Sequence, residues 1–272
     1  MRGSAGWAAG AGALVLALAG AASAGPSVVS LDQCADQFVL ALAPRADIKG
    51  LSFRALAPDS YLREMAKGLP LRRADVESVL AAGPQVVVRE WGGDDDMVRR
   101  LQARGVRVVG IDDANDFDGV RANVRKVAAA LGRGPEGEAL IGRMEAELGA
   151  AKGAWRGRRA LYLTPGGFTA GQGTLVGAML RAAGLTDAAS GAGFAPAPLE
   201  DLVLHPPGAV VLGFFDHGST ATQHWSLAQH PALKATMKGR VVASLPGAIL
   251  GCPAWFAADG ARDLAAAAGA RR

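Results

Sequence analysis

A chain of 272 residues can bury one large core or two modest ones, and its net charge of +4 is scattered along arginine-bearing stretches instead of gathered in blocks. That pattern excludes a nucleic-acid binder. Beyond the N-terminus no apolar run approaches the ~20 residues of a membrane span.

The first 24 residues read as a secretory signal: Arg2, an apolar run containing Leu14, Val15 and Leu16, and the small-residue end Ala22-Ser23-Ala24. Cleavage is expected after Ala24, and because Gly25 and not a cysteine stands directly after that point no lipid anchor is expected. Cys34 and Cys252 would then meet an oxidising compartment, where a pair suggests a disulfide and leaves its formation open.

Residues 28–30 read as a strand and 31–42 as a helix, with Leu31, Cys34, Ala35, Phe38, Val39 and Leu42 at helical spacing and Pro44 beyond. A strand over 48–52, a helix over 59–67 ended by Gly68, a helix around Glu77 and a strand over 85–89 follow. A helix over 94–104 and a strand over 106–111 complete a first α/β half. Helical periodicity then runs over 117–131, breaks at Gly132–Pro135, and resumes over 136–152, about 25 Å of helix at ~1.5 Å per residue. The second half reads as a strand at 159–163, a Gly-rich turn over 164–173 and helices at 174–184 and 199–204. A strand at 209–214, a helix at 231–238, a strand at 240–244 and a closing helix at 257–268 follow.

The halves repeat. Glu77 lies seven residues before Pro84 and Glu200 seven before Pro207, and each proline opens a buried strand. Two α/β lobes with parallel sheets, joined by one helical spine, predict a ligand cleft between them. The expected division is a signal over 1–24, a first lobe over 25–115, a helical segment with the bridging helix over 116–154, and a second lobe over 155–272.

Few motifs carry chemistry. Gly166 and Gly171 have phosphate-loop spacing, but Gln172 and Gly173 stand where lysine and Ser/Thr would grip phosphate and magnesium. Asp94-Asp95-Asp96 fits the first turn of a helix, where the macrodipole favours acids. His217, His224 and His230 form the one arrangement that could hold zinc or manganese. Otherwise they are loop residues, and no metal site or cofactor is read. No nucleophile elbow or H-E-x-x-H motif is present. The sparse aromatics fall on strand ends and loops, which makes Trp91, Phe168, Trp225 and Trp255 the candidates to hold a large flat ligand, with Phe214 and Phe256 as core plugs.

Taken in order, Val28–Asp36, Glu77–Val88, Trp91-Gly92-Gly93, the break at Leu131-Gly132, Gly171–Leu175, Glu200–Val211 and Leu245-Pro246-Gly247 resemble the class III periplasmic substrate-binding proteins of ABC importers for cobalamin and ferric siderophores. The resemblance covers essentially the whole mature chain. It implies two Rossmann-like lobes bridged by a single long helix, a non-enzymatic, monomeric protein in the periplasm, and a metal-chelate cargo: cobalamin or another corrinoid, a ferric siderophore, or haem. It implies docking of Glu77 and Glu200 onto arginines of the membrane permease. The chain departs from the cobalamin binder at 194–198, where Phe194-Ala195-Pro196-Ala197-Pro198 replaces a tryptophan-bearing segment. It departs also in its cysteines, which would fall on different lobes and allow an inter-lobe disulfide, ligation of a metal centre or free thiols. The alternatives are a secreted two-lobed hydrolase and a divalent-metal binder using the histidines.

Overall fold

The structure, a computed structural model, describes residues 25–90, 92–188, 191–216 and 230–270. The first lobe contains β1 (Val28–Ser30), α1 (Gln33–Leu42), β2 (Ile48–Ser52), α2 (Arg63–Ala66), β3 (Leu71–Arg72) and α3 (Val76–Ala81). It continues with β4 (Val86–Glu90), α4 (Asp95–Ala103) and β5 (Arg107–Ile111). Its sheet has the order β3-β2-β1-β4-β5, and every pair is parallel. Helices cover both faces of such a sheet, so Val86, Val87 and Val88 are all buried in unbroken succession.

The helix expected over 59–67 shortens to α2, because α1 takes the backbone groups its first turn needs. Gln33 Nε2 donates to the carbonyl of Asp59 at 2.8 Å, and Leu62 N donates to Gln37 Oε1 at 2.7 Å. Gln37 Nε2 also donates to Ser60 Oγ at 2.9 Å. Tertiary hydrogen bonds here override local periodicity.

The helical segment after β5 forms a hairpin. α5 (Phe117–Ala130) turns at Gly132, which has φ +66°, and α6 (Gly134–Ala151) returns beside it. Arg125 and Arg121 pair with Glu138 and Glu145 across it, and Gly137 lies so close to Ala128 that a Cβ would sit 2.6 Å from that methyl. α6, about 27 Å long, is the part that carries the chain to the second lobe.

That lobe contains β6 (Arg158–Leu163), β7 (Phe168–Ala170), α7 (Leu175–Ala182), β8 (Leu185–Asp187), β9 (Phe194–Pro196), α8 (Leu199–Leu204) and β10 (Ala209–Gly213). It ends with α9 (Pro231–Met237), β11 (Val241–Leu245), α10 (Gly247–Leu250) and α11 (Ala257–Gly269). The parallel sheet runs β11-β10-β6-β8. β7 and β9, separated in the chain by α7 and β8, pair antiparallel as a separate two-stranded ribbon, which the Gly-rich sequence there does not announce.

One apolar core runs through both lobes: Phe38 and Val88 belong to the same buried cluster as Tyr162, Val211 and Leu264. Phe38 packs edge-on against Trp255, with centroids 5.3 Å apart, and Tyr61 stacks on Phe256 at 4.2 Å. Tyr61 donates its hydroxyl hydrogen bond to Asp259, and a Cys34–Cys252 disulfide joins α1 to the segment before α11. On the far side Trp155 Nε1 donates to the carbonyl of Leu264 at 2.7 Å, tying the end of α6 to α11.

Within the first lobe, the fully buried Asp36 ties α1 to two strands. It accepts from Ser30 Oγ, from Ser52 Oγ at 2.6 Å and from Ser52 N at 2.9 Å. Burial pushes its carboxyl up to about 6, further than the serine hydrogen bonds pull it down. The folded state therefore holds this proton more tightly than the unfolded chain. The group's contribution to stability is largest below pH ~4 and declines as pH rises to ~6. In urea titrations, Asp36→Asn should lack this decline and gain about 3 kcal/mol relative to the parent between pH 4 and pH 7. A difference that is constant with pH would show that the buried carboxyl stays ionised throughout.

Candidate ligand cleft between the lobes

In both sheets the strand order reverses direction at a central pair, β1/β4 in the first lobe and β6/β10 in the second. In open parallel sheets ligands collect beyond the carboxyl ends of strands at such a point. At the first switch, Asp32 follows β1 and caps α1 by accepting from Ala35 N at 2.8 Å, while its other oxygen accepts from Glu90 N at 2.7 Å. One carboxylate thus fixes the start of a helix against the end of a neighbouring strand, and Glu90 is held at the sheet edge.

A cavity of ≈ 430 Å³ lies between the lobes. Its first-lobe wall is Glu90 with Asp113, Ala114 and Asn115 after β5. Its second-lobe wall is the start of α7 (Gly173 to Val176), Gly193 and Phe194 at the start of β9, and Leu250 to Pro253 before α11. A second pocket of ≈ 280 Å³ at the end of β4 also has Glu90 in its lining, with Asp32, Arg89 and Asp94.

Each wall is built by local chemistry. Buried Asn123 on α5 accepts from Asp112 N at 2.9 Å and donates to its carbonyl at 2.7 Å, which sets the turn bearing Asp113 and Asn115. Thr174 caps α7 by accepting from Gly177 N at 3.0 Å and donates to the carbonyl of Gly171 at 2.8 Å. Gly171 passes so near residue 191 that a Cβ would lie 2.0 Å from the Gly191 oxygen, so only glycine fits. In β7/β9, Phe168 pairs with Pro196 and Ala170 with Phe194, which puts both phenylalanines on one face of the ribbon. Phe194 is 62 % and Phe168 47 % exposed.

The first wall is acidic. Burial, then the negative charges of Asp32 and Asp113, push the half-buried Glu90 carboxyl above its usual range. The cleft therefore presents acceptors and negative charge to whatever enters it.

The residues singled out in the sequence divide. Trp255 is not a cleft wall: it is 9 % exposed and sandwiched between Phe38 and Phe256, because its loop folds inward to close the seam. Phe256 is buried, as its reading as a core plug requires, and Phe168 sits on the strand paired with the one that bears the cleft residue Phe194. Trp91, Trp225, His217 and His224 lie outside the described residues. His230 caps α9, its Nδ1 accepting from Ala232 N at 3.3 Å, and among the described residues no His/Cys/Asp/Glu group could hold a metal ion. Asp94 caps α4, accepting from Asp96 N and Met97 N. Glu77 and Glu200 are both exposed, in the first turns of α3 and α8. The sequence reading missed Glu90, Asp113 and Phe194. The first two are acids at the ends of apolar strands, a position that could have marked them.

A model described as "periplasmic binding protein" matches residues 28–244. The chain belongs to the periplasmic binding protein family. The family is one of non-enzymatic binding components, which sets the hydrolase alternative aside. A cobalamin-binding protein of Halobacterium salinarum is 27 % identical over 163 residues, 58 % of this chain, and the match spans 44 % of that relative's own length. Among solved structures, the periplasmic haem-binding protein BhuT in complex with two haems is 24 % identical with a TM-score of 0.68, covering 89 % of this chain and 98 % of that one. The apo form of the haem-binding protein RhuT from Roseiflexus sp. RS-1 is 26 % identical with a TM-score of 0.67, covering 89 % and 97 %. This binding protein thus shares the two-lobed architecture of that family.

Glu90 carries charge at a cost in stability. Glu90→Gln should raise the melting temperature of the cargo-free protein by about 1–3 °C at pH 7. The gain should vanish as pH falls through the carboxylate range, where the parent's Glu90 is also neutral. Calorimetry showing no gain at neutral pH would mean that solvent already compensates the charge.

Proposed function

We propose that the protein is the periplasmic solute-binding component of an ABC importer, and that its cargo is a cobalamin-type corrinoid held between the lobes and handed to a membrane permease. The observation that carries the cargo assignment is the acidic first wall of the cleft, Glu90 with Asp113, beside the neutral acceptor and donor Asn115. A corrin ring is fringed with neutral carboxamides whose N–H groups suit such acceptors. The propionates of haem and the anionic arms of many ferric siderophores would meet like charge, and juxtaposed like charges reject a partner. The identity to a cobalamin-binding relative points the same way. The cavity of ≈ 430 Å³ falls within the ~300–1,000 Å³ typical of ligand pockets. Phe194, with Phe168 on the same face of the β7/β9 ribbon and Trp91 next to Glu90 in sequence, would supply the apolar contact for a flat macrocycle. Haem is the second reading, favoured by the haem-binding proteins that share the fold.

Titrating the mature chain with cyanocobalamin, haemin and a ferric hydroxamate, followed by tryptophan fluorescence and calorimetry, separates these. Cyanocobalamin should saturate at micromolar concentration or below and bind at least about tenfold tighter than haemin. Glu90→Lys together with Asp113→Lys should reverse that ranking. Tighter binding of haemin by the unaltered protein would overturn the corrinoid assignment.

Delivery is assigned to Glu77 and Glu200, exposed on different lobes. Their surroundings differ: Arg100 and Arg104 border the hollow beside Glu77, while Leu199, Val203 and Leu204 border Glu200, with Leu204 74 % exposed. Paired carboxylates set docking orientation and association rate more than cargo affinity. Glu77→Ala with Glu200→Ala should leave cyanocobalamin affinity unchanged and lower uptake into permease-bearing vesicles by about tenfold. Uptake at the parental rate would remove both residues from docking.

A further inference from the structure

We infer that the Cys34–Cys252 disulfide is a positioning device of the cleft, a covalent clasp that fixes the separation of its two walls and so slows cargo escape. The inference rests on the corrinoid reading only for the probe used to measure escape.

The argument is one of connectivity. Cys252 lies in the Gly251–Pro253 stretch that forms part of the second-lobe wall. Cys34 is the second residue of α1, whose cap Asp32 holds the backbone of Glu90 in the first-lobe wall. From one wall to the other the path is therefore a disulfide, one helical turn and one carboxylate–amide hydrogen bond. The chain itself crosses between lobes elsewhere, where α6 ends and β6 begins. The shared apolar core opposes large displacements of the lobes, so the motion at issue is a small rotation. Lobes joined at two separate places can rotate only about the line through both. Wall residues next to the bridge lie close to that line and sweep only a short arc. The seam beside it, Phe38 on Trp255 and Tyr61 on Phe256, adds contact to the same side without adding a covalent limit.

Opening the clasp takes two electrons and two protons. A dithiol reductant attacks one sulfur, the S–S bond breaks through a mixed disulfide, and two protein thiols form as the reductant leaves as its own cyclic disulfide. The freed walls would then sample small local openings beside Cys34 and Cys252, within the limits the shared core sets. If escape quickens about tenfold while capture is unchanged, affinity falls about tenfold.

The test compares the oxidised protein, the same folded protein reduced with a dithiol, and Cys34→Ser with Cys252→Ser. The serine pair offers no thiolate to the cargo's metal, and reduction of already folded protein covers the case in which that pair folds poorly. Hydrogen exchange without cargo should quicken in residues 33–42 and 247–258 in both opened forms. Cyanocobalamin should dissociate about tenfold faster from both, with little change in association rate. A bridge that merely stabilises the fold would lower the melting temperature and leave exchange at the walls and the off-rate unchanged below it; that result overturns the inference. If the oxidised protein binds no cyanocobalamin but exchange at the walls still quickens on opening, the clasp stands and the corrinoid reading falls.

Discussion

The two lobes share a core, and that constraint orders everything else. Phe38, Trp255, Phe256 and Leu264 lie in one buried cluster with residues from both sheets, so neither sheet can be shifted without exposing apolar surface. At ~25 cal/mol per Å², exposing even one large aromatic is a substantial fraction of a domain's net stability. The seam thereby fixes how the carboxyl edges of two parallel sheets confront each other. The cleft is the space left between edges that the core has already placed.

Within that frame the first wall is electrostatically uncompensated. Asp32 has its carboxylate occupied by two backbone amides, yet its charge still bears on Glu90, and Asp113 adds to it. Natural sequences tolerate such frustration where a ligand relieves it, and accept lower stability of the empty form in exchange for selectivity. The buried Asp36 is a different case, since its hydrogen bonds come entirely from within the lobe and link β1, β2 and α1. Its role is architectural.

Much of this was legible before any coordinates. The Glu77–Pro84 and Glu200–Pro207 repeat located α3 with β4 and α8 with β10, because a proline-led apolar run has few alternatives to a buried strand. The break at Gly132 marked the helical turn. Short elements escaped: β3 has two residues, β8 and β9 three each, too few to show a period. The β7/β9 ribbon is held by glycines and main-chain bonds such as Gly171 N to the carbonyl of Gly193 at 2.9 Å, which leave no side-chain signature. Trp255 was misplaced for a related reason. An aromatic in a loop looks the same in sequence whether the loop faces a cleft or folds over a core, and only its partners Phe38 and Phe256 decide. Glu90 and Asp113 were overlooked because acids at strand ends are ordinary until the pairing of β4 with β5 brings them to one cavity wall.

The seam also has a consequence in time. Phe38 in the first helix is packed by Trp255 near the end of the chain, and α11 lies along α6 in the same cluster. During synthesis the first lobe emerges long before residues 252–264 exist to complete its apolar surroundings. Contacts so distant in sequence form late and slowly. The lobe that looks independent in space is therefore an unfinished fragment until the last helix arrives, and the nascent chain remains dependent on whatever shields exposed apolar surface until then.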